Sequence, residues 1–319
     1  MIAPRRTTLV VTNDYPPRIG GIESFVATAC RLLEDDVVVL TSRSPGWQQH
    51  DHASPHPVVR HPTRMLLPTP DVAAAARRLI ERHHCRRVLF GASAPLGLLA
   101  DRLRFSGVER VVALSHGHEV WWGRVPGTRE LLRRIAAGVD VLGHISGFTA
   151  TELGMVLRAE DRAKLRRIPP PVDTELFRPA TAAGEDAVAR VVAAGRFVPA
   201  KGWRVLLDAW HRVLARLAGR ADAPAVVLEL VGSGMLAGEL TRRVARFPAG
   251  TVRLRGPVEH PRMPQLLAGA RAFALPVGTR WPGLEPEGLG LVFVEAAACG
   301  IPVLAGKSGG TGDAVDDGR

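Results

Sequence analysis

The sequence is poor in cysteine, lysine and aromatic side chains and has no long unbroken hydrophobic run. Cys30, Cys85 and Cys299 lie far apart and never in C-x-x-C spacing. That argues against a disulfide scaffold or a zinc ribbon and for a reducing compartment. The first apolar run, Leu9-Val10-Val11, is too short for the core of a signal peptide. Residues 289–306 are nearly all apolar, but Glu295 sits inside the run and Gly and Pro break it. A buried helix followed by a strand is expected there, not a membrane span. Aromatics make up only 5% of the chain, and its net charge of +11 is spread out. Residues 1–175 hold 24 basic and 18 acidic side chains, and residues 176–319 hold 18 and 13. A nucleic-acid binder concentrates basic charge in a stripe interleaved with aromatics, so this pattern favours an anionic small ligand or an anionic membrane surface.

What remains is ample for two globular domains: 319 residues, 46% of them apolar. Short β-rich runs alternate with helical stretches. Strands are expected at 8–12, 37–41, 88–90, 110–114 and 139–145, with helices at 22–33, 71–84 and 131–137. The first helix would bury Ile22, Phe25, Val26, Ala29, Leu32 and Leu33, and Asp71 is a plausible N-cap for the second. Pro169-Pro170-Pro171 begins a stiff connector that runs to Pro179, and Gly184-Glu185 opens a new unit. Strands at 189–194, 226–231, 252–254, 272–275 and 303–305 then alternate with helices at 203–217, 264–270 and 291–299. The expected architecture is α/β: two doubly wound Rossmann-like domains, 1–175 and 176–319. A ligand is expected in the cleft between them, at the carboxyl ends of the strands.

Several loops could carry chemistry. Gly20-Gly21 lies between the first strand and its helix, where backbone N–H groups can approach a ligand oxygen, though a plain tight turn reads equally well. Gly195-Arg196 and Lys201-Gly202 place two cations five residues apart between a buried strand and a helix, a layout that suits a diphosphate. Lys201 stands out because the only other lysines are Lys164 and Lys307. Gly232-x-Gly234 is half a dinucleotide fingerprint and implies no nicotinamide cofactor. Glu287-Gly288-Leu289-Gly290 with Glu295 is the strongest local signal. It offers amides for an anionic group and two carboxylates for hydroxyls, and Glu295, in an apolar helix, needs a hydroxyl or cationic partner. His116-Gly117-His118-Glu119 precedes Trp121-Trp122; a substrate contact is the better reading there, since no third metal ligand is evident.

Five segments then carry a resemblance: 12–25 (TNDYPPRIGGIESF), 58–70 (VVRHPTRMLLPTP), 90–100 (FGASAPLGLLA), 115–122 (SHGHEVWW) and 283–310 (GLEPEGLGLVFVEAAACGIPVLAGKSGG). In this order they resemble the retaining GT-B glycosyltransferases of the large family 4 type, most of all the actinobacterial phosphatidylinositol mannoside mannosyltransferases. The resemblance implies a hexose donor, most of all GDP-mannose, a phosphatidylinositol mannoside-like lipid acceptor, and no cofactor or metal. It places Gly20 and Gly21 beside the transferring phosphate and His118 near the donor sugar. Arg196 and Lys201, following Gly195, would neutralise the diphosphate, and Glu287 would bind sugar hydroxyls. Gly288, Leu289 and Gly290 would border the phosphate, with amides from Leu289 and Gly290, and Glu295 would bind the ribose. A cytoplasmic enzyme, peripheral at the inner face of the plasma membrane and without a nucleic-acid partner, is expected. The basic run Arg77, Arg78, Arg82, Arg86 and Arg87 could lie on anionic lipid, a solvated arginine face being the commoner meaning of such a run. A UDP-sugar enzyme with a soluble acceptor, or an inactive sugar-nucleotide binder, is the alternative. The sequence departs from the family at Pro170-Pro171-Val172-Asp173 and at Ser308-Gly309-Gly310-Thr311-Gly312-Asp313. It also stops at Arg319, where relatives continue, which implies an incomplete second domain.

Overall fold

Runs of Val, Leu, Ile and Phe with few polar interruptions form strands buried on both faces, the signature of parallel sheets covered by helices. The computed structural model describes residues 6–180, 188–279 and 285–318. Gly184-Glu185, the Gly283-Leu284 start of the last resemblance segment, and Arg319 lie outside the described residues.

The first unit ends at Pro171. Its strands are β1 (Thr7–Val11), β2 (Asp36–Ser42), β3 (Val58–His61), β4 (Cys85–Phe90), β5 (Arg110–Ser115), β6 (Val141–His144) and β7 (Leu165–Arg167). They form one sheet in the order β3-β2-β1-β4-β5-β6-β7, and every pairing is parallel. The order reverses between β1 and β4, which makes the carboxyl ends of those two strands the switch point where loops diverge and ligands bind. Its core gathers Leu9, Val11, Leu40, Phe90, Val111, Leu132 and Leu142, all fully buried. Each such side chain contributes about 1.5–3 kcal/mol on leaving water.

The second unit starts at Val172, four residues before the expected boundary at 175/176. The connector from Val172 onward belongs to it because Phe177, with Val172 and Leu176 beside it, packs into its core with Phe197, Trp203, Phe273 and Phe293. Its strands are β8 (Val188–Ala194), β9 (Ala225–Val231), β10 (Val252–Arg255), β11 (Ala272–Leu275) and β12 (Val303–Ala305). Their order is β10-β9-β8-β11-β12, again all parallel, with the reversal between β8 and β11. The apolar stretch near residue 295 is a helix, Leu291–Ala298, followed by β12, as expected. Among the described residues no helix is long and apolar enough to cross a membrane.

Several local expectations are corrected. Helix Gly21–Leu32 buries Phe25, Val26 and Cys30, whereas Leu32 is exposed because the helix ends there and Leu33 is already extended. Helix Pro70–His83 is capped by Thr69, whose hydroxyl accepts from the Val72 N–H, with Pro70 at the first helical position. Asp71 instead bonds His61 Nε2 at 2.9 Å. The arginine cluster also divides. Arg77, Arg78 and Arg82 line the exposed face of this helix, but Arg86 and Arg87 belong to β4 and pair with Glu109 at 3.4 Å and Asp35 at 2.8 Å. Leu79 and Ile80 are spent on the core, so no apolar stripe accompanies the arginines.

Candidate functional site

In the first unit, the loops after β1, β4 and β5 meet at the switch point. Gly20 caps helix Gly21–Leu32 in extended backbone, and the Glu23 carboxylate folds back over it. Gly21 has open space where a side chain would be. Below this turn the β1 loop is clamped twice. Asn13 exchanges hydrogen bonds with the Leu66 backbone, donating to its carbonyl at 3.0 Å and accepting from its N–H at 2.6 Å. The buried Arg60 guanidinium donates to the Pro16 carbonyl, to the Ser42 carbonyl and to both oxygens of Asp51.

The β5 loop is organised around Glu119, which is fully buried. Its Oε1 accepts from Ser93 Oγ, and its Oε2 from Ser115 Oγ and the His116 N–H, at 2.9, 2.9 and 3.2 Å. His118 Nε2 lies 3.5 Å from Oε1. Burial opposes the charge on Glu119, but His118, His116, the backbone and Ser115 outweigh it and hold the carboxyl below its ordinary range. His116 is the reverse case. Buried against Phe25 at 5.5 Å, its Nε2 bonds the Gly91 carbonyl at 2.6 Å, and desolvation keeps the ring neutral by lowering its pKa. His118 stacks parallel to His116 at 6.3 Å and stays 44% exposed, so it is the histidine of this loop that a ligand can reach.

In the second unit, the loop after β8 is wedged against the one after β11. Gly202 has φ 73°, and a Cβ there would collide with the Pro276 carbonyl oxygen. Only glycine permits that approach, and it sets Lys201 at the mouth of helix Trp203–Leu217. Lys201 Nζ donates to Glu287 Oε2 at 2.5 Å. Glu287 is fixed through its own backbone: its N–H donates to Ser308 Oγ at 3.2 Å, and its carbonyl accepts from the Gly310 N–H at 2.8 Å. Two expected site residues 86 apart in sequence are thus in contact. Arg196, in contrast, is exposed, and its guanidinium bonds no described residue; its carbonyl accepts from Trp203 Nε1 at 2.9 Å. Gly195 closes the β8 end, donating its N–H to the Val231 carbonyl at 3.0 Å. The Gly232-x-Gly234 turn lies against this same loop, since the Phe197 N–H donates to the Ser233 carbonyl at 2.7 Å. That gives the two glycines a packing role.

Gly288 and Leu289 lead to Gly290, which caps helix Leu291–Ala298 with φ 85°, a conformation side chains resist. Glu295, 5% exposed within this helix, finds the partner its burial demands in His260, whose Nε2 lies 2.6 Å from Oε1. His260 escaped the sequence reading because it comes from the loop after β10, 35 residues away. The requirement that Glu295 be paired was the available signal. Ser308 and Glu119 were missed as organisers for the same reason: their partners are distant in sequence or on the backbone. Among the described residues no group of three His, Cys, Asp or Glu side chains could hold a metal ion. All three cysteines are free and buried, and burial pushes the Cys30 thiol up to about 12 and that of Cys85 up to about 11.

Comparison with known proteins gives the family. Residues 19–176 match the family described as Glycosyltransferase Family 4, and residues 189–319 match Glycosyl transferases group 1. The chain is 40% identical to the GDP-mannose-dependent alpha-(1-6)-phosphatidylinositol monomannoside mannosyltransferase of Mycobacterium tuberculosis, over 96% of this chain and 82% of that protein. It is 38% identical to the GDP-mannose-dependent monoacylated alpha-(1-6)-phosphatidylinositol monomannoside mannosyltransferase of Corynebacterium glutamicum, over 97% and 82%. Among solved structures, Anabaena HepE in complex with UDP and glucose superposes with a TM-score of 0.74 at 21% identity, covering 98% of this chain and 84% of that one. Sucrose-phosphate synthase from Thermosynechococcus elongatus gives 0.72 at 20%, covering 94% and 81%. The chain belongs to the group 1 and family 4 glycosyltransferases and has their GT-B fold of two parallel-sheet α/β domains.

Proposed function

From this membership we propose that the protein transfers a mannosyl residue from GDP-mannose, with retention, to a phosphatidylinositol mannoside-like lipid. The observation that carries the reading is the 40% identity, over 96% of the chain, to a GDP-mannose-dependent mannosyltransferase, with the Lys201–Glu287 pair in place. The second unit takes the donor. Lys201 and Arg196 meet the diphosphate, and the charge they hold in place stabilises the leaving group as the sugar–oxygen bond breaks, which is the dominant catalytic effect. With this charge supplied by side chains, the reaction proceeds without a metal or other cofactor. Glu287, held beside Lys201, binds sugar hydroxyls, and Glu295 accepts from the ribose. The Gly288–Gly290 turn borders the phosphate, with N–H groups from Leu289 and Gly290. In the first unit, His118 lies at the donor sugar and Gly20-Gly21 at the phosphate. The acceptor hydroxyl attacks from the face the diphosphate leaves, so no carboxylate nucleophile is required, in contrast to a two-carboxylate glycosidase.

The enzyme works in the cytoplasm at an anionic membrane face. Arg77, Arg78 and Arg82 supply charge there, and Arg77 and Arg102 line a shallow depression with Phe105, which is 91% exposed. The test is a donor screen with phosphatidylinositol mannoside in mixed vesicles. GDP release from GDP-mannose, unchanged by EDTA, with an α-linked product by NMR, is the expected result. Turnover of UDP-sugars with GDP-mannose inert would overturn the donor, and a β-linked product would overturn retention.

A further inference from the structure

Glu295 is a buried carboxylate with one oxygen committed and one open. His260 Nε2 holds Oε1 at 2.6 Å, while Oε2 bonds no described residue. The imidazole is itself held: its ring packs on Phe177 at 5.2 Å, and Phe177 is fully buried in the core of the second unit. It also begins a short turn, His260–Arg262, with Pro261 directly after it. A carboxylate whose first oxygen is tied by a neighbour cannot rotate freely, and it presents the second oxygen in one direction. We propose that His260 is a positioning residue for the donor nucleotide. By tying Oε1 it aims Oε2 of Glu295 at a vicinal diol, the ribose of the nucleoside diphosphate, and so makes the second unit selective for ribonucleotides.

The inference rests on the donor reading above but not on the identity of the base. It predicts a coupling between one side chain and one pair of ligand hydroxyls. The experiment is calorimetric titration of the full chain with GDP and UDP, and then with the 2′,3′-dideoxy form of whichever binds more tightly. The wild type should bind the ribonucleotide more tightly than the dideoxy form. His260→Ala should weaken ribonucleotide binding by about three- to tenfold, the worth of an ordinary hydrogen bond, and leave dideoxy binding unchanged. His260→Gln, whose amide nitrogen reaches the place of Nε2, should restore most of the loss. In turnover, His260→Ala should raise the donor KM with little change in kcat. Equal weakening of both nucleotides by His260→Ala, or no rescue by Gln, would show that His260 merely supports the fold and would overturn the inference alone. So would a wild type that does not distinguish the two forms. Binding of neither diphosphate to the wild type would overturn the donor reading and this inference with it.

Discussion

Lys201 and Glu287 neutralise one another at 2.5 Å, each less than one-fifth exposed, so removing either leaves the other charge largely buried and without this partner. On the proposed donor reading, Lys201→Ala is therefore expected to lose activity twice over, through the lost cation and through an uncompensated carboxylate beside the proposed diphosphate position. A kcat fall of about a hundredfold or more is expected, the scale of deleting one preorganised stabiliser of developing negative charge. Arg196→Ala, with no partner to orphan among the described residues, should cost less and leave the melting temperature unchanged. Steady-state kinetics with saturating donor checks both, and wild-type rates would remove the two cations from the mechanism. Titration behaviour belongs to the same scale. His116 and Glu119 both have folded pKa values below their ordinary 6.5 and 4.5. The native state thus binds fewer protons than the unfolded one, and stability rises with pH. The His116 contribution is complete above about pH 6.5 and is lost as pH falls through it; that of Glu119 is lost below about pH 4.5. Melting temperature should drop between about pH 7 and pH 5, and His116→Gln, which still donates to the Gly91 carbonyl, should flatten that drop. An unchanged slope in the variant would mean that another group carries the acid sensitivity.

The loops after β8 and β11 make contact through bare backbone, and Gly202 is where that contact leaves no room. Gly202→Ala combines a left-handed backbone angle with a collision against a carbonyl, so a loss of about 2 kcal/mol or more is expected in urea unfolding. At the helix Pro70–His83, replacing Arg77, Arg78 and Arg82 with Glu should abolish flotation with phosphatidylinositol-rich vesicles while soluble-acceptor turnover persists. Flotation unaffected by the charge reversal would remove the helix from membrane binding. Elements differ in how plainly the sequence announces them. Central strands such as β1, β8 and β9 are largely apolar runs and are legible because they are buried, and of β4 only the apolar half 88–90 is legible because Arg86 and Arg87 precede it. Strands β3 (VVRH) and β7 (LRR) lie at the two edges of their sheet, where one side meets solvent, and their polar content hides them. Site loops follow the same logic. Glycines after a strand and a lone Lys are visible locally, whereas His260 on Glu295 and Ser308 on Glu287 exist only once β10, β12 and the helix between them are packed.

Across the whole molecule, hydrophobic burial is partitioned. Every member of the first core lies before residue 166, and every member of the second after residue 171. Each sheet is closed within its own stretch of chain, so each unit carries its own cooperative transition. The donor reading assigns the nucleotide to the second unit, and a ligand stabilises only the state it binds. Scanning calorimetry should then resolve two transitions. Saturating GDP at about a hundred times its Kd should stabilise one of them by about 2.7 kcal/mol and leave the other in place. The assignment of transitions comes from the variants: Gly202→Ala should lower only the one that GDP raises, and His116→Gln should alter only the other. A GDP shift in the transition that responds to His116→Gln would place the nucleotide on the first unit. The roles of Lys201, Glu287 and Glu295 would then have to be abandoned, whatever the family membership says.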